Sequence, residues 1–268
     1  MFSVLILTLN EERALPRCLA SMRGCDDIVV LDSGSTDRTG EIARAAGARV
    51  FTRSFDDFAG QRNYAQREIP FRHPWVFHLD ADEELTPELV AECNARTDSA
   101  VDGFLVAPRM IFQGRWIPHC TDFPAYQARF VRAPQFAFIQ VGHGQREAPT
   151  MNLSRFQSNY LHNLSSGGEE EWLAKHRRYA RAEAAAHLAA NAGVPWSDFF
   201  SPHRLRRRRA LKRWSYSLPL RPTLRFFYQY ILRLGFLDGR PGLRYCQLLA
   251  QYERFAVTEL RAQRRASS

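Results

Sequence analysis

Two carboxylates stand one residue apart directly after a run of apolar residues. Asp80 and Asp82 follow the stretch 75–79, which predicts a buried strand. An Asp-x-Asp turn can share a divalent cation, because Mg²⁺ is typically held by one or two carboxylates together with substrate phosphates. The same oxygens can accept hydrogen bonds from ribose hydroxyls. Acidic residues are also common before a helix, and Thr86 with Pro87 predicts a helix start, so a solvated helix cap stays open.

Polar side chains follow two more apolar runs. Asp32 begins the stretch Asp-Ser-Gly-Ser-Thr-Asp after the second run, and Thr8, Asn10 and Glu11 stand at the end of the first. An Asp at a strand end suits the imide N–H of uracil or a ribose hydroxyl, and the next helix start favours anions. Asn and Glu could frame a nucleotide base. Helix initiation is the alternative role for each of these clusters when it is taken alone.

Apolar runs alternate with helical patterns in the first third of the chain, which predicts a parallel, wound α/β sheet. The predicted strands are 4–9, 28–31, 49–52 and 75–79, and the predicted helices are 12–22, 35–46, 61–68 and one that begins at Thr86. Ligands bind at the carboxyl ends of the strands in such sheets. All three polar clusters fall there, and this conjunction favours one shared ligand site. Further strands are predicted at 103–107 and 128–131.

The composition limits the class of protein. The chain has 268 residues, 45% hydrophobic and 24% charged, which excludes wholesale disorder. No run of eighteen apolar residues is present, which excludes a standard transmembrane helix. The first residues have no basic lead-in, and the five cysteines form no Cys-x-x-Cys pair. We therefore expect no export leader, no zinc ribbon and residence in a reducing cytoplasm.

The net charge of +9 is distributed unevenly. Residues 1–171 carry 17 basic and 23 acidic residues, whereas residues 172–268 carry 20 basic and 5 acidic residues. Helical patterns at 169–192 and from Leu224 onward flank an arginine-rich run at 203–213. We predict a catalytic domain over 1–168 and a helical, basic C-terminal extension over 169–268. Such an extension suits a polyanionic partner, either a membrane surface or nucleic acid; packing of its apolar residues on the first domain is the alternative.

Four stretches of the first 85 residues carry a family resemblance: Thr-Leu-Asn-Glu-Glu, Val-Leu-Asp-Ser-Gly-Ser-Thr-Asp-Arg-Thr, Gln-Arg-Asn-Tyr-Ala and His-Leu-Asp-Ala-Asp-Glu-Glu. In this order they resemble family 2 glycosyltransferases with the GT-A fold. Within that family the chain is similar to the branch that contains lipopolysaccharide core β-1,4-glucosyltransferases. The resemblance continues more loosely through 127–130 and 175–180, and the tail segment 235–239 with 242–243 is also similar to this branch.

The resemblance implies a GT-A (Rossmann-like), mostly parallel sheet flanked by helices. It also implies an inverting transfer of a sugar from a nucleotide-diphosphate sugar, with a UDP-sugar as the expected donor, to a lipid-linked saccharide such as lipopolysaccharide core. Mg²⁺ or Mn²⁺ would assist. By matched position it assigns the nucleotide pocket to Thr8, Asn10 and Glu11, the base to Asp32, the diphosphate to Arg62, the ribose to Asp80 and the metal to Asp82.

The catalytic base departs from the family pattern. Similar proteins carry a His-Glu pair where this chain reads Val-Gly-His-Gly-Gln-Arg-Glu at 141–147. Glu147 is the only carboxylate in that stretch and is our first candidate for the base, with an ion pair to Arg146 or to another surface arginine as its alternative role. Asp122 is the second candidate. His162 resembles a histidine that this branch places near the metal or diphosphate; a packed core histidine is the alternative.

Two other classes of protein are weighed against this one. A nucleotidyltransferase-like α/β enzyme is disfavoured because the chain has no Gly-rich, Lys-bearing phosphate loop. A non-catalytic nucleic-acid-binding protein is disfavoured by the net negative charge of residues 1–171. Because acceptors of the resembled branch are lipid-linked, we expect the arginine-rich extension to meet an anionic membrane, on the inner face of the cytoplasmic membrane.

Overall fold

A computed structural model describes residues 1–141, 144–165, 167–189, 195–216, 218 and 220–266. The strands are β1 (Ser3–Thr8), β2 (Ile28–Asp32), β3 (Arg49–Thr52), β4 (Trp75–Asp80), β5 (Glu83–Glu84), β6 (Gly103–Val106), β7 (Pro108–Phe112), β8 (Arg115–Trp116), β9 (Gln127–Arg132), β10 (Phe138–Val141), β11 (Gly144–Glu147), β12 (Leu153–Arg155) and β13 (Tyr160–Asn163). The α-helices are α1 (Leu15–Ala20), α2 (Thr39–Ala45), α3 (Phe58–Glu68), α4 (Pro87–Ala95), α5 (Gly168–Ala189), α6 (Trp196–Phe199), α7 (Arg204–Ser215), α8 (Arg221–Phe227) and α9 (Gly239–Ala266). A π-helical turn (Tyr228–Leu232) and a 3₁₀ turn (Gly235–Asp238) lie between α8 and α9.

The central sheet has the strand order β12-β6-β9-β4-β1-β2-β3. β1 pairs in parallel with β2 and β4, and β2 pairs in parallel with β3. β9 enters antiparallel between β4 and β6. The mostly parallel α/β sheet expected from the sequence is therefore confirmed, and the strands predicted at 103–107 and 128–131 are present as β6 and β9.

Helices cover both faces of this sheet. Successive side chains of β1 point to opposite faces, and because these side chains are apolar, each face needs a cover. Val4 and Ile6 pack in the same cluster as Leu15 of α1, which also takes in residues of α2 and α4. Leu5 packs on the opposite face with Ala65 of α3. A strand that is buried on both faces reads as a continuous apolar run, which is why β1 and β4 are visible in the sequence.

Side-chain caps decide where the helices begin. Asp57 accepts a hydrogen bond of 2.7 Å from the backbone N–H of Gly60, so α3 begins at Phe58, before the predicted start. Thr86 caps α4 as predicted, with its hydroxyl accepting from the backbone N–H of Leu89 at 3.2 Å. α2 begins only at Thr39, because the preceding residues form a hydrogen-bonded loop. α1 is likewise shorter than the predicted helix 12–22.

The described residues group into two compact units. One contains Met1–Ile111 and Asp122–Ser166, and the other contains Phe112–Thr121 and Gly167–Ser268. The C-terminal extension is helical as expected, with α5 to α9 in this unit. Within the unit, α5 packs against α9. The grouping of residues 112–121 with that unit was not expected, and the division at 168/169 stays a prediction. Of the helices that the structure describes, none combines the length and apolar character needed to cross a bilayer.

Candidate functional site

The carboxyl ends of β1 and β2 meet through Thr8 and Asp32. The two residues are partners in the sheet register, and the Thr8 hydroxyl donates to Asp32 Oδ1 at 2.8 Å. The same oxygen accepts from the Ser35 hydroxyl at 2.5 Å, and Oδ2 accepts from the backbone N–H groups of Gly34 and Ser35 at 3.1 and 2.8 Å. Asp32 therefore shapes its own loop, and a base contact by Asp32 stays a prediction.

The loop after β1 is tied to the loop after β2. Asn10 has a φ of 57°, a left-handed conformation that Asn tolerates better than most residues. Its backbone N–H donates to the Ser35 hydroxyl at 2.8 Å, and its Oδ1 accepts from the backbone N–H of Thr36 at 2.9 Å. The backbone N–H of Glu11 donates to Thr39 Oγ1 at 2.8 Å. The structure thus brings Thr8, Asn10, Glu11 and Asp32 to one edge of the sheet.

Asp80 ends β4 between two buried arginines. Its Oδ1 accepts from Arg62 Nη2 at 2.7 Å and its Oδ2 from Arg129 Nη2 at 3.3 Å. Arg129 also donates to Glu83 Oε1 at 2.8 Å, and Glu83 Oε2 accepts from the backbone N–H of Asp80 at 2.8 Å. Arg62, Arg129 and Glu83 are almost fully buried. We call Arg62, Asp80, Glu83 and Arg129 the arginine–carboxylate cluster.

The two carboxylates of this cluster differ in pKa. Desolvation opposes ionisation of Asp80, but the charges of Arg129 and Arg62 outweigh it and lower its pKa to about 2. Glu83 is more deeply buried, and its burial together with the neighbouring Asp80 charge raises its pKa to about 7 despite Arg129. Burial lowers the pKa of Arg62. Asp80 is thus the fixed anion of the cluster.

Strand pairing brings His162 to the Asp-x-Asp turn. β5 pairs antiparallel with β13, with His162 opposite Glu83, and the backbone N–H of Asn163 donates to the Asp82 carbonyl at 3.0 Å. His162 Nε2 then lies 3.4 Å from Asp82 Oδ2, and Nδ1 lies 3.6 Å from Glu83 Oε1. Burial disfavours the imidazolium, but the hydrogen bond and charge of Asp82 outweigh it and raise the pKa of His162 to about 8.

Both carboxylates of the Asp-x-Asp turn are partly exposed. The Asp80 side chain is 32% exposed and that of His162 is 27% exposed. The Asp82 side chain is 21% exposed. A depression beside it is lined by Arg13, Arg17, Cys18, Asp82, Glu84 and Asn163. Both oxygens of Asp80 are engaged by arginine, whereas Asp82 and His162 present one carboxylate and one imidazole to the same point. This donor pair fits a divalent cation whose other ligands are phosphate oxygens and water.

A larger protein cage for a metal is absent from the part of the chain that the structure describes, where no three His, Cys, Asp or Glu side chains are placed to hold one ion. The protonated His162 would have to lose its proton before its Nε2 could bind a cation, so metal binding there would release a proton. The roles of Asp82 and His162 as metal ligands stay predictions.

The two candidates for the catalytic base lie on other elements. Glu147 ends β11, opposite Phe138 in the hairpin with β10. Asn63 of α3 holds this hairpin by two hydrogen bonds of 2.8 and 2.9 Å to the backbone of Phe138. Arg146 and Glu147 both line a depression beside this hairpin, and the role of Glu147 as the base stays a prediction. Asp122 is exposed, in the turn before β9. Gly142 and His143, which stand directly before β11 in the sequence, lie outside the described residues.

Sequence reasoning gave no role to Arg129 or Glu83, although both hold Asp80. A signal for Arg129 was available. It lies between Ala128 and Phe130 in a predicted buried strand, and a buried arginine requires a carboxylate partner. Glu83 carried no such signal, because its burial depends on β13 covering the turn.

Comparison with known proteins places the chain in a family. Residues 3–145 match the family model "Glycosyl transferase family 2", which is more than half of the chain. The chain belongs to glycosyl transferase family 2. The family expected from the four sequence motifs is therefore confirmed.

Several relatives carry glycosyltransferase names. The lipopolysaccharide core biosynthesis glycosyltransferase LpsC of Rhizobium meliloti is 38% identical over 115 residues, which are 40% of this chain and 42% of that protein. An uncharacterized glycosyltransferase of Rickettsia bellii is 37% identical over 91 residues, 34% of this chain and 30% of that protein. The chain thus spans less than half the length of each of these relatives.

Solved structures also resemble the chain. Residues 1–349 of TarS from S. aureus align with 100% of this chain and 92% of that chain, with 17% identity and a TM-score of 0.47. Glucosyl-3-phosphoglycerate synthase from Mycobacterium tuberculosis, solved with Mn²⁺, UDP and glucosyl-3-phosphoglycerate, aligns with 41% of this chain and 44% of that chain, with 24% identity and a TM-score of 0.34.

Proposed function

We propose that this member of glycosyl transferase family 2 moves a hexose or related sugar, with inversion, from a UDP-sugar to a lipid-linked saccharide of the lipopolysaccharide core type. One observation carries the proposal: the Asp80–Asp82 turn at the end of β4, with His162 beside Asp82. The lipopolysaccharide core relative supports the choice of acceptor. The catalytic domain would be 1–168, working at the inner face of the cytoplasmic membrane.

The donor nucleotide would lie along the edge where β1, β2 and β4 end. Thr8, Asn10 and Glu11 would line its pocket, and Asp32 would contact the base. Asp80 would accept hydrogen bonds from the ribose hydroxyls, a role supported by its low pKa, since an ionised carboxylate is a strong acceptor. Arg62, which donates to Asp80, would lie near the diphosphate.

Asp82 and His162 would hold Mg²⁺ or Mn²⁺. A bound cation would offset the charge that develops on the nucleoside diphosphate as it leaves. Arg13 and Arg17 line the same depression and add positive charge on the diphosphate side. Asp82 would thereby orient the leaving group, while the arginine–carboxylate cluster fixes the backbone of the turn.

Inversion requires one carboxylate on the face of the sugar opposite the diphosphate. We assign this role to Glu147, with Asp122 as the second candidate. The carboxylate would take the proton of the acceptor hydroxyl as its oxygen bonds to the anomeric carbon, and the bond to the diphosphate oxygen would break with its electron pair leaving on that oxygen.

The test is a thermal-shift panel of UDP-, GDP-, dTDP- and CMP-sugars, each with and without Mn²⁺. A metal-dependent rise in melting temperature with UDP-sugars is expected, because a ligand that binds only the folded state stabilises it. Asp82→Ala should remove the metal-dependent part of the rise. Asp98→Ala, at an exposed carboxylate after α4, should retain it. A panel without any shift would contradict the proposal.

A further inference from the structure

One segment of the C-terminal unit buries polar residues and exposes apolar ones. This outward segment, Leu220–Asp238, comprises α8, the π-helical turn and the 3₁₀ turn. Arg221, Gln229 and Asp238 are at most 7% exposed. Arg221 Nη2 lies 2.9 Å from Glu253 Oε2 of α9, so the first of these polar residues is paired inside the unit.

The other two buried polar residues bind the same short stretch of the unit. Gln229 Nε2 donates to the carbonyl of Cys120 at 2.5 Å. Asp238 accepts from the backbone N–H of Cys120 at 2.8 Å and lies 2.7 Å from Nδ1 of His119. The outward segment is therefore fixed to its own unit by polar contacts, and its apolar side chains are left to face outward.

Those apolar side chains form one stripe. Leu224, Phe227, Tyr228, Ile231 and Leu232 recur at intervals of three and four residues, which places them on one helical face. They expose between 44 and 74% of their surface. Single exposed leucines are ordinary, but a contiguous apolar patch on a folded surface marks a site of interaction.

The charge around the stripe is positive. Arg225 and Arg240 lie in or just after the outward segment, whereas Arg233 Nη2 donates to the carbonyl of Thr121 at 2.5 Å. The only acidic residue of the segment, Asp238, is buried. Residues 172–268 as a whole carry 20 basic and 5 acidic residues. A second copy would bring the same positive charge to the contact, and like charges oppose association.

We infer that the outward segment is a membrane-docking surface, which inserts its apolar stripe between the acyl chains of an anionic lipid surface while the neighbouring arginines contact headgroups. Apolar side chains on one face and arginines at its margin are the features of segments that lie in the membrane interface. Such a segment needs no bilayer-spanning length. The proposal concerns the C-terminal unit and does not depend on the proposed transfer reaction.

Co-sedimentation of the full chain with vesicles tests this surface. Wild type should bind vesicles of phosphatidylcholine with phosphatidylglycerol more tightly than phosphatidylcholine alone. The triple variant Phe227→Ser, Ile231→Ser, Leu232→Ser should lose at least about tenfold in affinity, because it removes three inserted side chains. Phe55→Ser, at an exposed aromatic residue of the other unit, should bind like wild type.

A second measurement covers the case in which the triple variant fails to fold. Ile231→Trp should add fluorescence that brominated lipids quench, whereas Phe55→Trp should add fluorescence that they do not quench. Wild-type affinity in a folded triple variant, or no quenching at position 231, would overturn the proposal. A lipid-free wild-type dimer that the triple variant converts to a monomer would overturn it too, because the stripe would then lie between two copies.

Discussion

At the scale of the residue, Arg129 is the buried arginine of the site that pairs with two carboxylates. It is 3% exposed and lies between two carboxylates, 3.3 Å from Asp80 Oδ2 and 2.8 Å from Glu83 Oε1. Without it, two neighbouring anions would face each other in a poorly solvated space. Burial and the neighbouring Asp80 charge raise the pKa of Glu83 to about 7, and the charge of Arg129 opposes this rise.

Arg129→Met should lower the free energy of unfolding by about 3–5 kcal/mol, because breaking a buried pair leaves an uncompensated charge. Urea unfolding measures this. Arg38→Met, which removes an exposed pair with Glu41, should change the same quantity by less than about 1 kcal/mol. Adding Glu83→Leu to Arg129→Met should recover part of the loss. A loss below about 1 kcal/mol for Arg129→Met would show that the cluster contributes little to stability.

Residue types at strand ends were readable from the sequence, but their partners were not. Thr8, Asn10, Asp32 and Asp80 follow apolar runs, and strand ends of a parallel sheet meet at one edge. The register that sets His162 opposite Glu83 could not be predicted from the sequence, because β13 pairs with β5 across about eighty positions of the chain. Side-chain partnerships of that kind depend on tertiary packing.

At the scale of the element, Asp27 joins the starts of β1, β2 and β3, because it stands directly before β2 and binds the first residues of β1 and β3. Its Oδ2 accepts from the Ser3 hydroxyl at 2.6 Å and from the backbone N–H of Arg72 at 2.8 Å, and its Oδ1 accepts from Arg49 Nη2 at 2.8 Å. Burial opposes its ionisation, but these hydrogen bonds outweigh it and lower the pKa of Asp27. The ionised carboxylate therefore stabilises the folded sheet.

Asp27→Asn should lower stability at neutral pH by about 2 kcal/mol, since it weakens bonds to a charged acceptor. A lowered folded pKa gives stability that is present above the unfolded value, about 4, and is lost as the pH falls through the folded value. The difference between wild type and variant should therefore shrink below about pH 4. Unfolding curves at several pH values measure this, with Asp98→Asn as the exposed control. A difference that is constant with pH would contradict it.

Elements with a strong apolar run were predicted, and those without one were missed. β1, β2 and β4 are buried on both faces and were visible, whereas the hairpin β10–β11 has exposed residues such as Ile139 and Arg146 and gave no pattern. The direction of β9 was not readable either, because a buried strand has the same pattern in parallel and antiparallel pairings. Helices begin at residues other than the predicted ones where a side-chain cap was not foreseen, as with Asp57 before α3.

At the scale of the whole molecule, charge separates the first 171 residues from the rest. The described helix α7 carries exposed Arg206 and Arg207, and Ala210 in the same helix is buried. Packing of Leu224, Phe227 and Ile231 on the first domain was one expectation for the C-terminal extension. The structure leaves about half of each of these side chains exposed, and their packing on the first domain stays a prediction.

Arg206→Gln with Arg207→Gln should weaken binding to anionic vesicles and make it less sensitive to salt, because each arginine near a negative surface adds an electrostatic contribution that salt screens. Vesicle binding at about 0.05 and 0.5 M salt measures both effects. Arg38→Gln, at an exposed arginine of the first unit, serves as the control. Equal salt dependence in the double variant and wild type would assign the attraction to other residues.

The bonds around Asp32 and Asn10 have a consequence for selectivity. Because the two loops are held to each other by side chains of this chain, their order is established when the protein folds and not when a ligand arrives. If the proposed nucleotide pocket lies along these loops, a nucleotide would bear little of the entropy cost of shaping it. A rigid pocket of that kind would select the base by its shape, and would exclude a base that does not fit before any hydrogen bond forms.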